Sequence, residues 1–269
     1  MVNVKKALLG GAFLLSGLFT AATSADPCAP PSPGEPVQVE HVFDGDTLRL
    51  ADGRKVRLIG INTPELGRDG APDQPLAASA RNAARRFVAE ARTLSLHTEK
   101  DPQDHYGRTL AHLYNGRGQN LEAELLRQGL GFSLSFPPNL ALRDCFNTAE
   151  AQAQAAGLGV WSLPAYRPVR ASHLGPEDGG FRRVLGRVST TGKTRGGPYL
   201  ELDDRLFVRV RQRHMQYFER HDFAHLQDRL VEVRGWVVPR QLSAKEKARG
   251  YRPFMLELRH PDALHLRPD

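Results

Sequence analysis

Three short segments in the first half of this 269-residue chain carry side chains suited to holding a cation and an anion. The first, Val42-Phe43-Asp44-Gly45-Asp46-Thr47, sets two carboxylates around a glycine at the start of a strand. By itself that pattern is either a tight turn or part of a site for a hard cation. The second runs from Arg57 to Glu65 as Arg-Leu-Ile-Gly-Ile-Asn-Thr-Pro-Glu. A strand burying Leu58, Ile59 and Ile61 ends there at Pro64. In the plainest reading Arg57 and Glu65 are surface ion-pairing residues. In the functional one the strand end delivers Asn62, the Thr63 carbonyl and Glu65 to one place, and Ca2+ takes carboxylate, amide and carbonyl oxygens alike. The third, Asp104-His105-Tyr106-Gly107-Arg108-Thr109-Leu110-Ala111, opens a strand with an arginine. Its planar fork matches two phosphate oxygens at once.

These segments need a scaffold, and the pattern around them is strand-rich. Val37–Phe43, Thr47–Leu50 and Lys55–Ile61 alternate or run apolar at strand length, with a turn at Ala51-Asp52-Gly53. After a polar loop at Leu66–Pro75, the composition predicts a helix over Leu76–Arg92 and strands over Thr93–Thr98 and Thr109–Tyr114. Further helices are expected over Asn120–Gln128 and Leu140–Ala156, the last stopped by Gly157 and Gly159.

In this order the segments resemble the staphylococcal nuclease (thermonuclease) family. The likeness spans about Val37 to Trp161. It takes in Asp-Gly-Asp-Thr, Arg-Leu-x-x-x-x-Thr-Pro-Glu, Asp-x-Tyr-Gly-Arg-x-Leu-Ala, Leu125-Leu126-Arg127-Gln128-Gly129, and Glu150-Ala151-Gln152-Ala153 before Gly159-Val160-Trp161. The resemblance implies a five-stranded OB-type barrel packed with three helices. It also implies Ca2+-dependent hydrolysis of DNA and RNA phosphodiesters that leaves 3′-phosphate ends. By motif, Asp46 and the Thr63 carbonyl are expected as metal ligands, with Asn62 where the family's archetype has an aspartate. An amide still coordinates Ca2+, but the site loses a negative charge, so weaker metal binding is expected there. Glu65 is expected as general base, and Arg57 and Arg108 as holders of the scissile phosphate. Tyr106 matches a position near the sugar and base. Phe136 is either a stacking partner or core, and Leu134 stands where a further stacking ring is missing.

Composition agrees with a folded, exported protein. With 40% hydrophobic and 25% charged residues the chain is neither disordered nor fibrous, and its length suggests two domains. Residues 1–25 read as a signal peptide: Lys5 and Lys6, an apolar run Ala7–Ala22, then Thr23, Ser24 and Ala25. A membrane anchor fits less well, because the run falls short of the roughly 20 residues needed to span. The mature chain is expected to be a monomer, periplasmic or secreted, without stable membrane association. Cys28 and Cys145 are the two cysteines, and an oxidising compartment makes a disulfide between them the economical reading; two unpaired thiols are the alternative.

The charge divides unevenly. Residues 26–180 hold 16 Lys and Arg against 19 Asp and Glu, a net −3, whereas residues 181–269 hold 19 against 11, a net +8. A basic half points to a polyanionic partner. Its strand signals, Arg183–Val188, Tyr199–Leu202, Leu206–Val210, Leu230–Val238 and Phe254–Leu258, with a helix near Met215–Leu226 after the third, follow the order of an OB barrel. Two loops of that barrel are rich in cations: Lys193 and Arg195 in the first, and Arg240, Lys245, Lys247, Arg249 and Arg252 in the other. They suit nucleic-acid phosphates, or else form a solvated charged face, with Phe207 and Trp236 expected in the barrel core.

The sequence therefore predicts a mainly β, α+β chain. A signal peptide (1–25) and a Pro-rich leader (26–36) precede a thermonuclease-like catalytic domain (37–163), a linker (164–180) and a second, basic OB-like barrel (181–269). The expected function is a calcium-dependent nuclease acting on DNA or RNA. The alternatives are a nucleic-acid-binding protein with a silent site and, more remotely, an envelope interaction module.

Overall fold

A computed structural model describes residues 27–67 and 69–268. The signal peptide expected over 1–25 lies outside the described residues. Among those described, no helix is long and apolar enough to cross a membrane.

The first sheet contains β1 (Glu35–Val37), β2 (Val39–Val42), β3 (Thr47–Leu50), β4 (Lys55–Leu58), β6 (Leu94–Gln103) and β7 (Thr109–Asn115), in the order β1-β6-β7-β4-β3-β2. Its two ends, β1 and β2, are separated in the chain by Gln38 alone, so one bent strand bridges both edges and the sheet curls round a core that includes Leu48, Val56, Leu58 and Leu113. A two-stranded ribbon, β5 (Ile61–Asn62) with β8 (Phe132–Ser133), stands beside it. Three helices pack on this sheet: α1 (Ala77–Glu90), α2 (Leu121–Arg127) and α3 (Arg143–Ala155). The buried face of α1 is all alanine, at 77, 80, 83 and 84, and small side chains let a helix approach closely. Asn120 caps α2 by accepting from the Ala123 N–H at 2.8 Å.

Two family-like motifs find a packing explanation here. Gly129, at φ 68°, ends α2, and its carbonyl accepts from the Val160 N–H at 2.9 Å. A Cβ on Gly129 would lie 2.3 Å from the Leu158 carbonyl oxygen, and one on Gly159 would lie 2.1 Å from the Gly129 oxygen. The two glycines are what allow backbone to meet backbone.

The leader is anchored. Cys28 and Cys145 form a disulfide with a sequence separation of 117, which ties the leader to α3. The Tyr114 hydroxyl donates to the Cys28 carbonyl at 2.7 Å.

The second sheet comprises β9 (Val169–Arg170), β10 (Gly180–Thr194), β11 (Gly197–Leu202), β12 (Leu206–Val210), β13 (Leu230–Pro239), β14 (Phe254–Leu258) and β15 (Leu264–Leu266). The run β10-β11-β12-β14-β13 closes on itself because β13 also pairs with β10. Its strand order, with a parallel β12–β14 pair, repeats that of β2-β3-β4-β7-β6, where β4 and β7 are parallel. Three expectations are corrected. The helix near Met215–Leu226 is two 3-10 pieces, Gln212–Tyr217 and Ala224–Leu226, held by the buried Phe218 instead of a continuous helical ladder. A short helix α4 (Ala244–Ala248), capped reciprocally by Ser243 and Glu246, occupies the loop before β14. Residues 164–180, expected as a linker, are packed: β9 pairs with β10, and Ala171 and Leu174 are buried in the second core.

The two sheets meet through charged groups. The Arg234 guanidinium on β13 donates to both Glu150 oxygens on α3 at 2.9 and 2.8 Å and to the Ser133 hydroxyl at 3.2 Å. Asp262 accepts from Arg143, Ser135 and Asn147 at 2.6–2.9 Å.

Inside the first sheet, His112 is buried between Glu122 at 2.7 Å and Glu99 at 2.8 Å. Burial alone would lower its pKa, but the two carboxylates raise it. A histidine with a raised folded pKa adds stability below its unfolded value of about 6.5, and that gain is lost as pH rises through the folded value. His112→Gln should therefore cost about 1–3 kcal/mol near pH 6 and distinctly less near pH 9, measured by urea unfolding.

Candidate active site

Strand register brings the three segments together. Thr47 on β3 lies opposite Arg57 on β4, so Asp46, one residue before β3, stands beside the arginine. Val56 on β4 pairs with Thr109 on β7, which places Arg108, one residue before β7, alongside the same strand. The Leu58 N–H donates to the Asp46 carbonyl at 2.8 Å and fixes the end of β4.

The junction is the Asp46 side chain, which is 1% exposed. Its Oδ2 accepts from the Thr63 N–H at 2.8 Å and the Thr63 hydroxyl at 3.1 Å, and the Arg57 Nη2 lies 3.2 Å away. Oδ1 accepts from the Thr47 hydroxyl at 3.2 Å. The Arg57 guanidinium also donates to the Leu58 and Ile61 carbonyls, which hold it between the end of β4 and the start of β5. Asp44 is buried too, and its Oδ1 accepts from the Asp46 N–H at 3.0 Å. Gly45 between them has a steric purpose: a Cβ there would fall 2.7 Å from Thr63 Cγ2 and 2.9 Å from Ala80 Cβ.

Glu65 lies on the exposed loop just beyond. Its backbone exchanges two 3.0 Å hydrogen bonds with Gln74, one to the Gln74 side chain. Burial, then the charges of Asp46 and Glu65, push the Asp44 carboxyl up to about 7. The three carboxylates thus feel one another, and the available donors are all oxygen. Among the described residues no group of three or more His, Cys, Asp and Glu side chains forms a metal cage. What the donor set fits is a hard cation sharing its shell with water.

Arg57, Arg108, Tyr106 and Phe136 line one cavity of about 480 Å³. Arg108 is held by Asp104 at 2.7 Å, and its guanidinium lies 5.6 Å from the Tyr106 ring centre. Tyr106 is 74% exposed. Phe136 is half-buried at the cavity wall, with the Arg259 guanidinium 4.5 Å from its ring centre. Asn62 is placed differently. It pairs with Phe132 across the β5–β8 ribbon and lines a neighbouring cavity with Pro64, Phe132 and Tyr166, and it is not among the groups bonded to Asp46.

The loop cations of the second barrel are dispersed. Lys193 is on β10, since that strand runs on to Thr194 in register with β11, leaving only Arg195 and Gly196 in the turn. Lys245, Lys247 and Arg249 are exposed on and after α4. Arg252 is bound to Glu201 at 2.6 Å and Asp204 at 2.7 Å, and Arg240 is paired with Glu246 at 3.4 Å. Trp236, expected in the core, is 40% exposed and joins the cavity wall. Arg259, which also lines this cavity, and Arg209 and Arg211, which line the one adjoining it, are not among the site residues expected from the sequence. The available signal was the alternation Phe207, Arg209, Arg211 along a strand, which puts all three on one face.

The family model of staphylococcal nuclease homologues matches residues 55–163. A thermonuclease of Staphylococcus intermedius is 35% identical over 131 residues, covering 48% of this chain and 77% of the relative. A thermonuclease of Staphylococcus hyicus is 31% identical over 128 residues, covering 46% and 75%. A probable endonuclease LCL3 of Verticillium alfalfae is 30% identical over 116 residues, covering 41% and 39%.

The close approach at Gly45 is testable. Gly45→Ala should lower stability by about 1–3 kcal/mol in urea unfolding, because Thr63 and Ala80 must give way. Unchanged stability would mean that the contact is slack.

Proposed function

The chain belongs to the staphylococcal nuclease family, and from that premise we propose that it is an exported, calcium-dependent nuclease that leaves 3′-phosphate ends on DNA or RNA. The observation that carries the proposal is the buried Asp46, which gathers Thr63 and Arg57, the arginine in turn lining the cavity that Arg108 also lines.

Asp46 and the Thr63 carbonyl would hold the ion, with Asp44 as a neighbouring oxygen donor, while Asn62 faces the adjoining cavity. Bound Ca2+ would supply Lewis-acid stabilisation of charge on the phosphate. Arg57 and Arg108 hold the scissile phosphate and oppose the negative charge that builds on its equatorial oxygens. Glu65, on the exposed loop, takes a proton from a water as that water's oxygen bonds to phosphorus. The bond from phosphorus to the 5′-oxygen breaks, the 5′-oxygen takes a proton from solvent, and the phosphate stays on the 3′-oxygen. The Cys28–Cys145 disulfide supports export to an oxidising compartment, where calcium is abundant enough for a site of modest affinity.

The alternative is a binding protein with a silent site, and Asn62 is the feature that favours it. Cleavage of single-stranded DNA and RNA decides between them. Calcium should support cleavage, chelator should abolish it, and Glu65→Gln should slow it by about 10²–10⁴-fold. Equal traces in all three conditions would favour binding without hydrolysis.

A further inference from the structure

The cavity holding Arg57 and Arg108 does not end at the first barrel. Leu134, Phe136, Trp236 and Arg259 line it and also line a second cavity of about 230 Å³ in the seam between the barrels. Arg209 and Arg211 line that second cavity and also a third, of about 500 Å³, on the β11–β12 face. Three hollows that share walls in sequence form a row from the candidate site onto the second barrel, a groove along the surface.

Cations predominate along the way, although Asp101 and Asp104 also line the first hollow, where Asp104 is paired with Arg108. Arg209, Arg211, Arg213 and Arg259 are spread along the groove, and the first three converge on one carboxylate, Glu257, which leaves a surplus of positive charge. Arg234 and Asp262, the other charged groups in the seam, are already matched by Glu150 and Arg143. Aromatic rings recur between the cations. Phe136 and Trp236 lie 5.6 Å apart at the seam, and Tyr199 and Phe207 lie 5.1 Å apart in the third hollow, both half-buried. None of the loop cations Lys193, Arg195, Lys245, Lys247 and Arg249 lines these hollows.

Cations at intervals with rings between them are what a single strand of nucleic acid requires, since phosphates track the charge and unpaired bases stack on the rings. A duplex keeps its bases inside and would leave the rings unused. We propose that this groove carries the single-stranded continuation of the substrate from the candidate site, across Phe136 and Trp236, to the Tyr199–Phe207 face of the second barrel. The inference deepens the proposed function and rests on it for the place where the strand is cut.

Fluorescence anisotropy in chelator, on the full chain, tests the groove separately from cleavage. Oligonucleotides of about four and about sixteen nucleotides bracket the length one such barrel covers. The double variant Arg211→Ala, Arg213→Ala should weaken binding of the long strand about tenfold or more, with a smaller loss for the short one. It should also flatten the dependence of log affinity on log salt by about one per arginine removed. The double variant Arg86→Ala, Arg117→Ala, two exposed charges outside the groove, is the control for net charge alone. Photo-crosslinking of a halogenated single strand to the unmutated chain should label Trp236 and Tyr199. A double variant that behaves like the control, together with no label on either ring, would overturn the proposal. A chain that binds long strands as expected but cuts neither DNA nor RNA would sink the nuclease reading and keep the groove. Efficient cleavage with equal KM for short and long strands would do the reverse.

Discussion

A carboxylate sealed from water is costly unless it is hydrogen-bonded and paired, and Asp46 meets that condition with groups from three separate stretches of chain. Its two oxygens are taken up by the Thr47 hydroxyl, the Thr63 amide and hydroxyl, and Arg57. Satisfying the buried charge and bringing the candidate residues Asp46, Thr63 and Arg57 together are thus one event. Thr63 cannot leave without stranding Asp46, and Arg57 cannot swing out without breaking its bonds to the Leu58 and Ile61 carbonyls. The same arrangement leaves Asp44 buried beside Asp46 and under the influence of Glu65, and so concentrates negative charge where a cation would relieve it.

The second barrel reaches this junction through a short chain of contacts. Arg234 grips Glu150, Glu150 accepts from the Ser133 N–H at 2.7 Å, and Ser133 pairs with Ile61 one step before Asn62 and Thr63. Removing one member of such a buried pair typically costs about 3–5 kcal/mol, because the other charge is left uncompensated. The Asp262 cluster lies next to this path. There the hydrogen bonds from His260, Arg143, Ser135 and Asn147 outweigh burial and hold the carboxyl well below the usual range. The seam is therefore a fixed surface on which a groove can keep its shape.

Much of the first barrel was legible because its signals are local. Alternation marked β3, β6 and β7, helix composition marked α1, and the order of motifs pointed to Asp46, Arg57 and Arg108. Glu150 and Gly129 stood in the motifs as letters only, and their reasons appear once Arg234 and Gly159 are seen against them. What could not be read were contacts between residues about a hundred positions apart. Trp236 looked like core because a tryptophan on an apolar strand usually is, yet it faces Phe136 of the other barrel. The basic loops drew attention by composition, but two of their arginines are bound to carboxylates, whereas the second barrel's arginines that line the groove lie on and just beyond β12 and just after β14.

Calorimetric titration of calcium into the chain and into Asp46→Asn addresses the junction most directly, since asparagine keeps the size of the side chain and removes its charge. Saturable binding by the unmutated chain, with a dissociation constant of about 10⁻⁴–10⁻³ M that is lost in the variant, is the expected result. Calcium binding of equal strength in both, or in neither, would contradict the placement of the ion at Asp46.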